Sequence, residues 1–360
     1  MDRRHFIQAS LLASAHVAGL RALSLPSVSS FTDDGWRTFE VTTTIEVLQP
    51  SGETTVWLPK PIAGGVPYQR TLVTTLHADG GTSATTKHDA DALEIIAVRF
   101  PKSVKPIVTT VSRVSTRNYS VDLTASATGT APASLDYFRR ATKLIPTSGI
   151  AQTTAREITK GAHTDLEKAQ AIYSWIVERT HRNPTTRGCG VGDIRFMLES
   201  GDLSGKCADL NALFVGLARA SGLPARDVYG LRVAPSKFAY ASLGTTSPKI
   251  TKAQHCRAEV YLSGPGWVPV DPADVRKVAL EEPPGNRPLD DDMVKRARAR
   301  LFGSWEMNWI AYNYAHDVQL PGSQGAPIGF LMYPQAETGG RRVDSLDADA
   351  FRYEISAREL

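Results

Sequence analysis

The sequence predicts an α+β domain preceded by a β-sandwich, on three observations. From Trp36 to Leu123, Thr- and Val-rich segments alternate with Gly, Pro and Asp breaks, the pattern of short strands joined by turns. Beyond residue 135 the apolar period lengthens: in EKAQAIYSWIVERT, Ala169, Ile172, Tyr173, Ile176 and Val177 fall on one helical face. Strand-like runs, ARDVYGLRV, HCRAEVYL and WVPVD, then follow the helices, and helices succeeded by antiparallel strands make an α+β fold.

Taken in order, residues 1–30 begin MDRRHFIQ, an Arg-Arg pair followed by a weakly apolar run broken by Gln8 and His16. This pattern resembles a twin-arginine export signal and is too short and polar for a membrane span, which needs about 20 apolar residues. It places the mature protein in the periplasm or outside the cell, with no stable membrane insertion. Residues 31–124 supply the sandwich through FEVTTTIEVLQ, TTVWLP, ALEIIAVRF and IVTTVSRVST. ASATGTAPAS, residues 125–134, reads as a linker. Residues 132–290 form the α+β core. Residues 291–360 read as its extension, with a helical run from Asp292 to Ala315 and closing strands in GFLMYPQ and FRYEIS.

Bulk properties exclude some classes. With 360 residues, 42% of them hydrophobic and 22% charged, the chain can bury two cores and is not a disordered protein. Arg3, Arg4 and Arg21 against Asp2 supply half of the net charge of +4. No basic stripe interleaved with aromatics remains to suggest a nucleic-acid partner. RGCGVGD fits neither a dinucleotide fingerprint nor a P-loop, so no cofactor is expected, and the segment reads as a backbone turn lining a cleft. Asp290 to Asp292 read as charges at a helix start, and KRARAR as a solvated helix face.

Chemistry concentrates in LSGKCADLNALFVGLARASGLPAR, residues 203–226. Leu210, Leu213, Phe214 and Leu217 make a helical stripe, Gly222 and Pro224 end it, and Ser204 as N-cap places Cys207 in the first turn. The unpaired N–H groups and positive end of a helix dipole favour a thiolate there, and Lys206 adds a cation. A nucleophilic thiol also needs a proton acceptor held by a third group. In HCRAEVYL, alternation puts His255, Arg257, Glu259 and Tyr261 on one face and Cys256, Ala258, Val260 and Leu262 on the other. A three-residue hairpin loop, Gly264 to Gly266, brings Asp271 of WVPVDPAD onto the His255 face, whereas a four-residue loop from Ser263 sends it to the opposite one. Even then, a regular ladder leaves the two side chains several residues apart, a gap that a bulge or bend must close. Cys207 alone reads more readily as a buried helix cysteine, His255 as a sheet histidine and Asp271 as a turn cap.

These three segments, in this order, resemble the cysteine helix, histidine strand and aspartate strand of bacterial transglutaminase-like proteins, and AIYSWIVERTHRNP resembles the helix preceding them. The likeness covers about residues 135–275. It implies a papain-like core with Cys207 as nucleophile, His255 as general base and acid, and Asp271 as the orienting carboxylate. Ala208 stands where the animal crosslinking enzymes have Trp, Arg257 where an aromatic residue often follows the histidine, and no calcium loop is recognisable. The expected chemistry is therefore acyl transfer from a protein or peptide substrate, such as a cell-wall peptide, with hydrolysis favoured over crosslinking. A transglutaminase and a non-catalytic binding module on the same fold are the competing readings.

The remaining expectations are smaller. The N–H of Cys207 is one oxyanion donor, and Asn183 or Trp175 is a candidate for the second, although Trp175 borders an apolar stripe. Tyr229, Arg232, Arg257 and Glu259 are candidates for the substrate cleft. Cys189 and Cys256 form either a disulfide or two buried free thiols. No tight Cys or His pair suggests a metal.

Overall fold

The computed structural model describes residues 35–127 and 132–360, so the expected export signal lies outside the described residues, as does part of the expected linker. Residues 37–120 are built mainly of strands: β1 (Arg37–Val47), β2 (Thr54–Pro59), β3 (Gln69–His77), β4 (Thr82–His88), β5 (Leu93–Phe100), β6 (Ile107–Thr116) and the short β7 (Tyr119–Ser120). Helices and strands then mix: α1 (Ile150–Ile158), α2 (Asp165–Arg179), β8 (His181–Arg182), α3 (Ile194–Ser200), β9 (Ser204–Gly205), α4 (Cys207–Ala220) and β10 (Ala225–Arg232). They continue with β11 (Gln254–Leu262), β12 (Gly266–Val270), α5 (Pro272–Glu281) and α6 (Asp292–Arg300). The chain closes with β13 (Ser304–Trp305), β14 (Trp309–Asn313), β15 (Gln335–Thr338), β16 (Arg341–Val343) and β17 (Phe351–Glu359).

Two sheets, ordered β17-β1-β6-β3 and β16-β15-β2-β5-β4, make the sandwich. Alternate residues of β1 point inward, and Ile45, Val47, Val56, Val98, Val108 and Phe351 meet between the sheets. The C-terminal region is thus not one extension of the core. β15, β16 and β17 complete the sandwich, while α6, β13 and β14 stay with the core. The expected helix from Asp292 to Ala315 stops at Arg300, because WIAYN, rich in aromatic residues, joins the core sheet as β14. Of GFLMYPQ only Gln335 enters a strand.

The core sheet runs β12-β11-β10-β14, antiparallel throughout. Against one face lies α4, buried from Cys207 to Arg219 because α1 and α2 cover its outer side. A helix so uniformly buried is mostly apolar, and its polar exceptions, Asp209, Asn211 and Arg219, are each hydrogen-bonded. The helix α2 is set by a reciprocal cap: Thr164 Oγ1 accepts from the Glu167 N–H at 3.1 Å, and Glu167 Oε2 accepts from the Thr164 N–H at 2.9 Å.

Candidate active site

The head of α4 is built by its own first turn. Lys206 occupies the N-cap, two residues beyond the expected Ser204, so Cys207 is the first helical residue. Asp209 carries the cap in reverse: its carboxylate accepts N–H bonds from Lys206 (3.0 Å), Val191 and Gly192 (both 2.9 Å). The glycine-rich turn is thereby clamped onto the helix, and the Ala208 N–H donates to the Cys189 carbonyl at 2.9 Å. Gly190 is required here, since a Cβ would stand 1.8 Å from Asp209 Oδ2. Cys189 is thus delivered beside Cys207, as RGCGVGD lines the cleft.

All three cysteines are free and buried. The disulfide considered between Cys189 and Cys256 is not formed. Their thiols flank that of Cys207 instead, and Cys189 Sγ donates to the Gln254 carbonyl at 3.3 Å. Hydrogen bonds from Cys189 and Cys256, with a further one from His255, outweigh burial and hold the Cys207 thiol well below its ordinary range. Cys207 and burial push the Cys189 thiol up, and burial, then Cys207, do the same to Cys256.

The hairpin resolves the parity question. Leu262 pairs with Gly266, so the three-residue loop is Ser263 to Pro265 rather than Gly264 to Gly266. Ala258 pairs with Val270, a register that brings Asp271 two residues nearer His255 than expected. Asp271 therefore falls opposite Arg257, two residues from His255 on the same face. That is a diagonal step, which side chains can span without a bulge. His255 Nε2 lies 2.7 Å from Asp271 Oδ2, both residues buried. With Nε2 engaged by a carboxylate, that nitrogen carries the proton and Nδ1 is left for the thiol.

Three residues outside the sequence expectations complete the arrangement. Asn211, one turn beyond Cys207 on the same helix face, donates from Nδ2 to the Cys256 carbonyl (2.9 Å) and to Asp271 Oδ1 (3.3 Å). Its i+4 spacing from Cys207 was the available signal. Asp274 stands 3.4 Å from His255 Nε2, and Arg232 Nη2 bonds both its oxygens at 2.6 Å. Trp309 Nε1 donates to the His255 carbonyl at 2.8 Å, fitting over Gly230, whose Cβ would stand 2.3 Å from the indole. Nothing local in the sequence links Trp309 to His255, because β14 reaches the sheet only through tertiary pairing.

Charge is balanced within this buried group. Burial pulls His255 down and Arg232 adds to that, yet Asp274 and Asp271 together raise it above an ordinary imidazole. Asp274 is opposed by burial, but Arg232 holds it well below the usual carboxylate range. Burial, then the neighbouring Asp274, push Asp271 up, against His255 and Arg257. The ligand atoms of His255, Asp271 and Asp274 lie within 4.8 Å of one another. Arg232 already occupies both oxygens of Asp274, and Arg257 Nε stands 3.6 Å from Asp271, so guanidinium groups fill a cation's role.

Other candidate residues fall elsewhere. The cleft, about 600 Å³, is lined by Cys189, Cys207, Arg232 and His255 but not by Tyr229, Arg257 or Glu259. Tyr229 stacks on Phe330, with ring centroids 4.7 Å apart. Arg257 lies over Trp309 and Trp305, and Glu259 pairs with Arg226 at 2.7 Å, so both serve the sheet interior. Asn183 Oδ1 is taken by Thr185, and Trp175 packs beside the helical core. Neither lines the cleft as an oxyanion donor.

Residues 152–272 match the family model of the transglutaminase-like superfamily. A protein of Haemophilus influenzae carrying the name "Uncharacterized protein" is 33% identical over 354 residues, which cover 89% of this chain and 91% of that one. A crystal structure from Cytophaga hutchinsonii, named as a candidate cysteine protease, superposes with a TM-score of 0.55 at 12% identity. That superposition covers 91% of this chain and 92% of the other, a likeness of fold. No helix among the described residues is long and apolar enough to cross a membrane.

Proposed function

This chain belongs to the transglutaminase-like superfamily, a fold that supports thiol acyl transfer, and on that premise we propose that it is an exported hydrolase of a peptide, isopeptide or amide bond acting through Cys207, His255 and Asp271. The observation that carries this is the buried 2.7 Å contact between His255 and Asp271 beside a thiol favoured as thiolate. Export rests on the Arg3-Arg4 pair of residues 1–30, and a periplasmic cell-wall peptide is one substrate of this class.

The chemistry follows from the geometry. Cys207 Sγ attacks the carbonyl carbon, and the oxyanion forms at the helix head, where the Cys207 N–H is one donor. The C–N bond breaks as imidazolium His255 gives its Nδ1 proton to the leaving amine. Water, deprotonated by the now neutral His255, then attacks the thioester and releases the acid and the thiolate. Asp271 keeps Nε2 protonated throughout, which aims Nδ1 at the reacting atoms. A primary amine in place of that water would make the same acyl-enzyme a transglutaminase, so incorporation of a labelled amine separates the two outcomes.

The pH dependence has a definite sign. Cys207 is lowered from about 8.5 and His255 raised from about 6.5, so thiolate and imidazolium coexist between the two folded values. Below that window the thiol is reprotonated, and above it the acid is lost, giving a bell-shaped profile. Alkylation of Cys207 by iodoacetamide, read by peptide mass spectrometry against pH, should persist well below the ordinary thiol range and weaken in His255→Ala. Labelling that rises only near the free-thiol pKa, indifferent to His255, would favour the non-catalytic binding reading.

A further inference from the structure

The cleft around Cys207 is lined by seven arginines and lysines, with no aspartate or glutamate among its lining residues. One wall gathers Arg182, Lys206, Arg232 and Lys277. Arg182 pairs with Gly205 across β8 and β9, next to Lys206, and Lys277 lies on α5 one turn beyond Asp274. Lys252, Arg187 and Arg352 line the cleft from other segments.

Carboxylates behind these walls do not neutralise them. Glu281 is shared by Arg182 Nε at 2.7 Å and Lys277 Nζ at 3.8 Å. Asp274 serves both Arg232 and His255, and Glu46 serves both Lys105 (2.5 Å) and Arg352 (3.4 Å). Only Arg187 has a carboxylate to itself, Asp344 at 2.7 Å. Lys206 and Lys252 make no ion pair among the described residues. Burial, then Arg232, pull the Lys277 amine below its ordinary range, against Asp274 and Glu281.

Resting on the thiol chemistry proposed above, we infer that this cleft takes acidic peptides, whose carboxylates lie against the basic wall on either side of the bond attacked by Cys207. A concave site of one sign focuses its field on the ligand, and guanidinium groups match carboxylates in geometry as well as charge. The surplus also explains how a small net charge coexists with a charged site, since the imbalance is local.

Two alkylating agents of one shape test this on the intact protein. Iodoacetate carries a carboxylate and iodoacetamide does not, and their rate ratio at Cys207 is compared with that at a small free thiol. The ratio should favour iodoacetate by about tenfold at low ionic strength and shrink as salt is added. It should fall in Lys277→Gln and in the exposed Lys252→Gln, both remote in sequence from Cys207. Protection of Cys207 by triglutamate, with a free or an amidated C-terminus, identifies the source of the carboxylate. Equal protection by both assigns recognition to side chains, and protection by the free acid alone assigns it to the terminus. Equal protection by amidated triglutamine, or a rate ratio matching the free thiol, overturns the inference while leaving the thiol reading intact. A Cys207 that neither agent labels removes the thiol reading itself, and this inference with it.

Discussion

His255 and Glu259 occupy the same face of the same strand, yet they do different work. At the start of β11, His255 borders the cleft, touches Asp271 and contacts Cys207. Four residues on, Glu259 is sealed in with Arg226, whose guanidinium is enclosed by Trp267 at 3.9 Å and Tyr314 at 3.7 Å. Arg257 between them is intermediate: its Nε reaches toward Asp271, but its guanidinium lies over Trp305 and Trp309 and against Met307. A polar strand face therefore does not announce a site. What covers the face decides, and only the end of the strand escapes cover.

The largest effect that would break this contrast is at the open end. Asp271→Asn should lower kcat by on the order of 10⁴-fold, since an amide can stabilise the wrong tautomer of His255. Activity of this variant within a few-fold of the wild type would remove Asp271 from the mechanism. At the sealed end the loss should be in stability. Glu259→Gln strands the Arg226 charge and should cost about 3 kcal/mol in denaturant unfolding, with Cys207 alkylation in the folded protein unchanged. Slower alkylation at full stability would reverse the roles assigned to the two ends. The paired change Glu259→Gln with Arg226→Met sharpens the point, because apolar replacement of a buried ion pair is often near neutral. Stability should then recover relative to the single change, read from the same unfolding curves. Smallest of all, Asn183→Ala should alter kcat by less than about twofold, being a loop residue outside the cleft. A larger drop would return Asn183 to the oxyanion position.

Much of this site was legible because it is local. The stripe of Leu210, Leu213, Phe214 and Leu217 places Cys207 at a helix head, and the hairpin count places Asp271 on the His255 face. What was not legible depends on partners distant in the chain. Arg257 looks like a cleft residue until β14 brings Trp309 over it, and Glu259 until Arg226, with Trp267 and Tyr314, seals it in. Cys189 and Cys256 look like a pair until the Cys207 thiol is seen between them. Asp209 and Asn211 lie in the quoted helix itself, but their roles need the 187–193 turn and the β12–α5 junction in place. The destination of residues 335–359 was misread for the same reason, since an alternating strand declares its faces and not its neighbour.

That neighbour sets a timetable. β17 pairs with β1 from Phe39↔Glu359 to Val47↔Phe351, and Arg37 grips Glu359 across a sequence separation of 322. The sheet begun by β1 is therefore finished late, because that strand lacks one of its partners until residues 351–359 are made. Until then the outer edge of β1 stays unpaired, an aggregation hazard for a nascent chain. Removing residues 351–359 should consequently injure the sheet that starts at Arg37, far away in sequence.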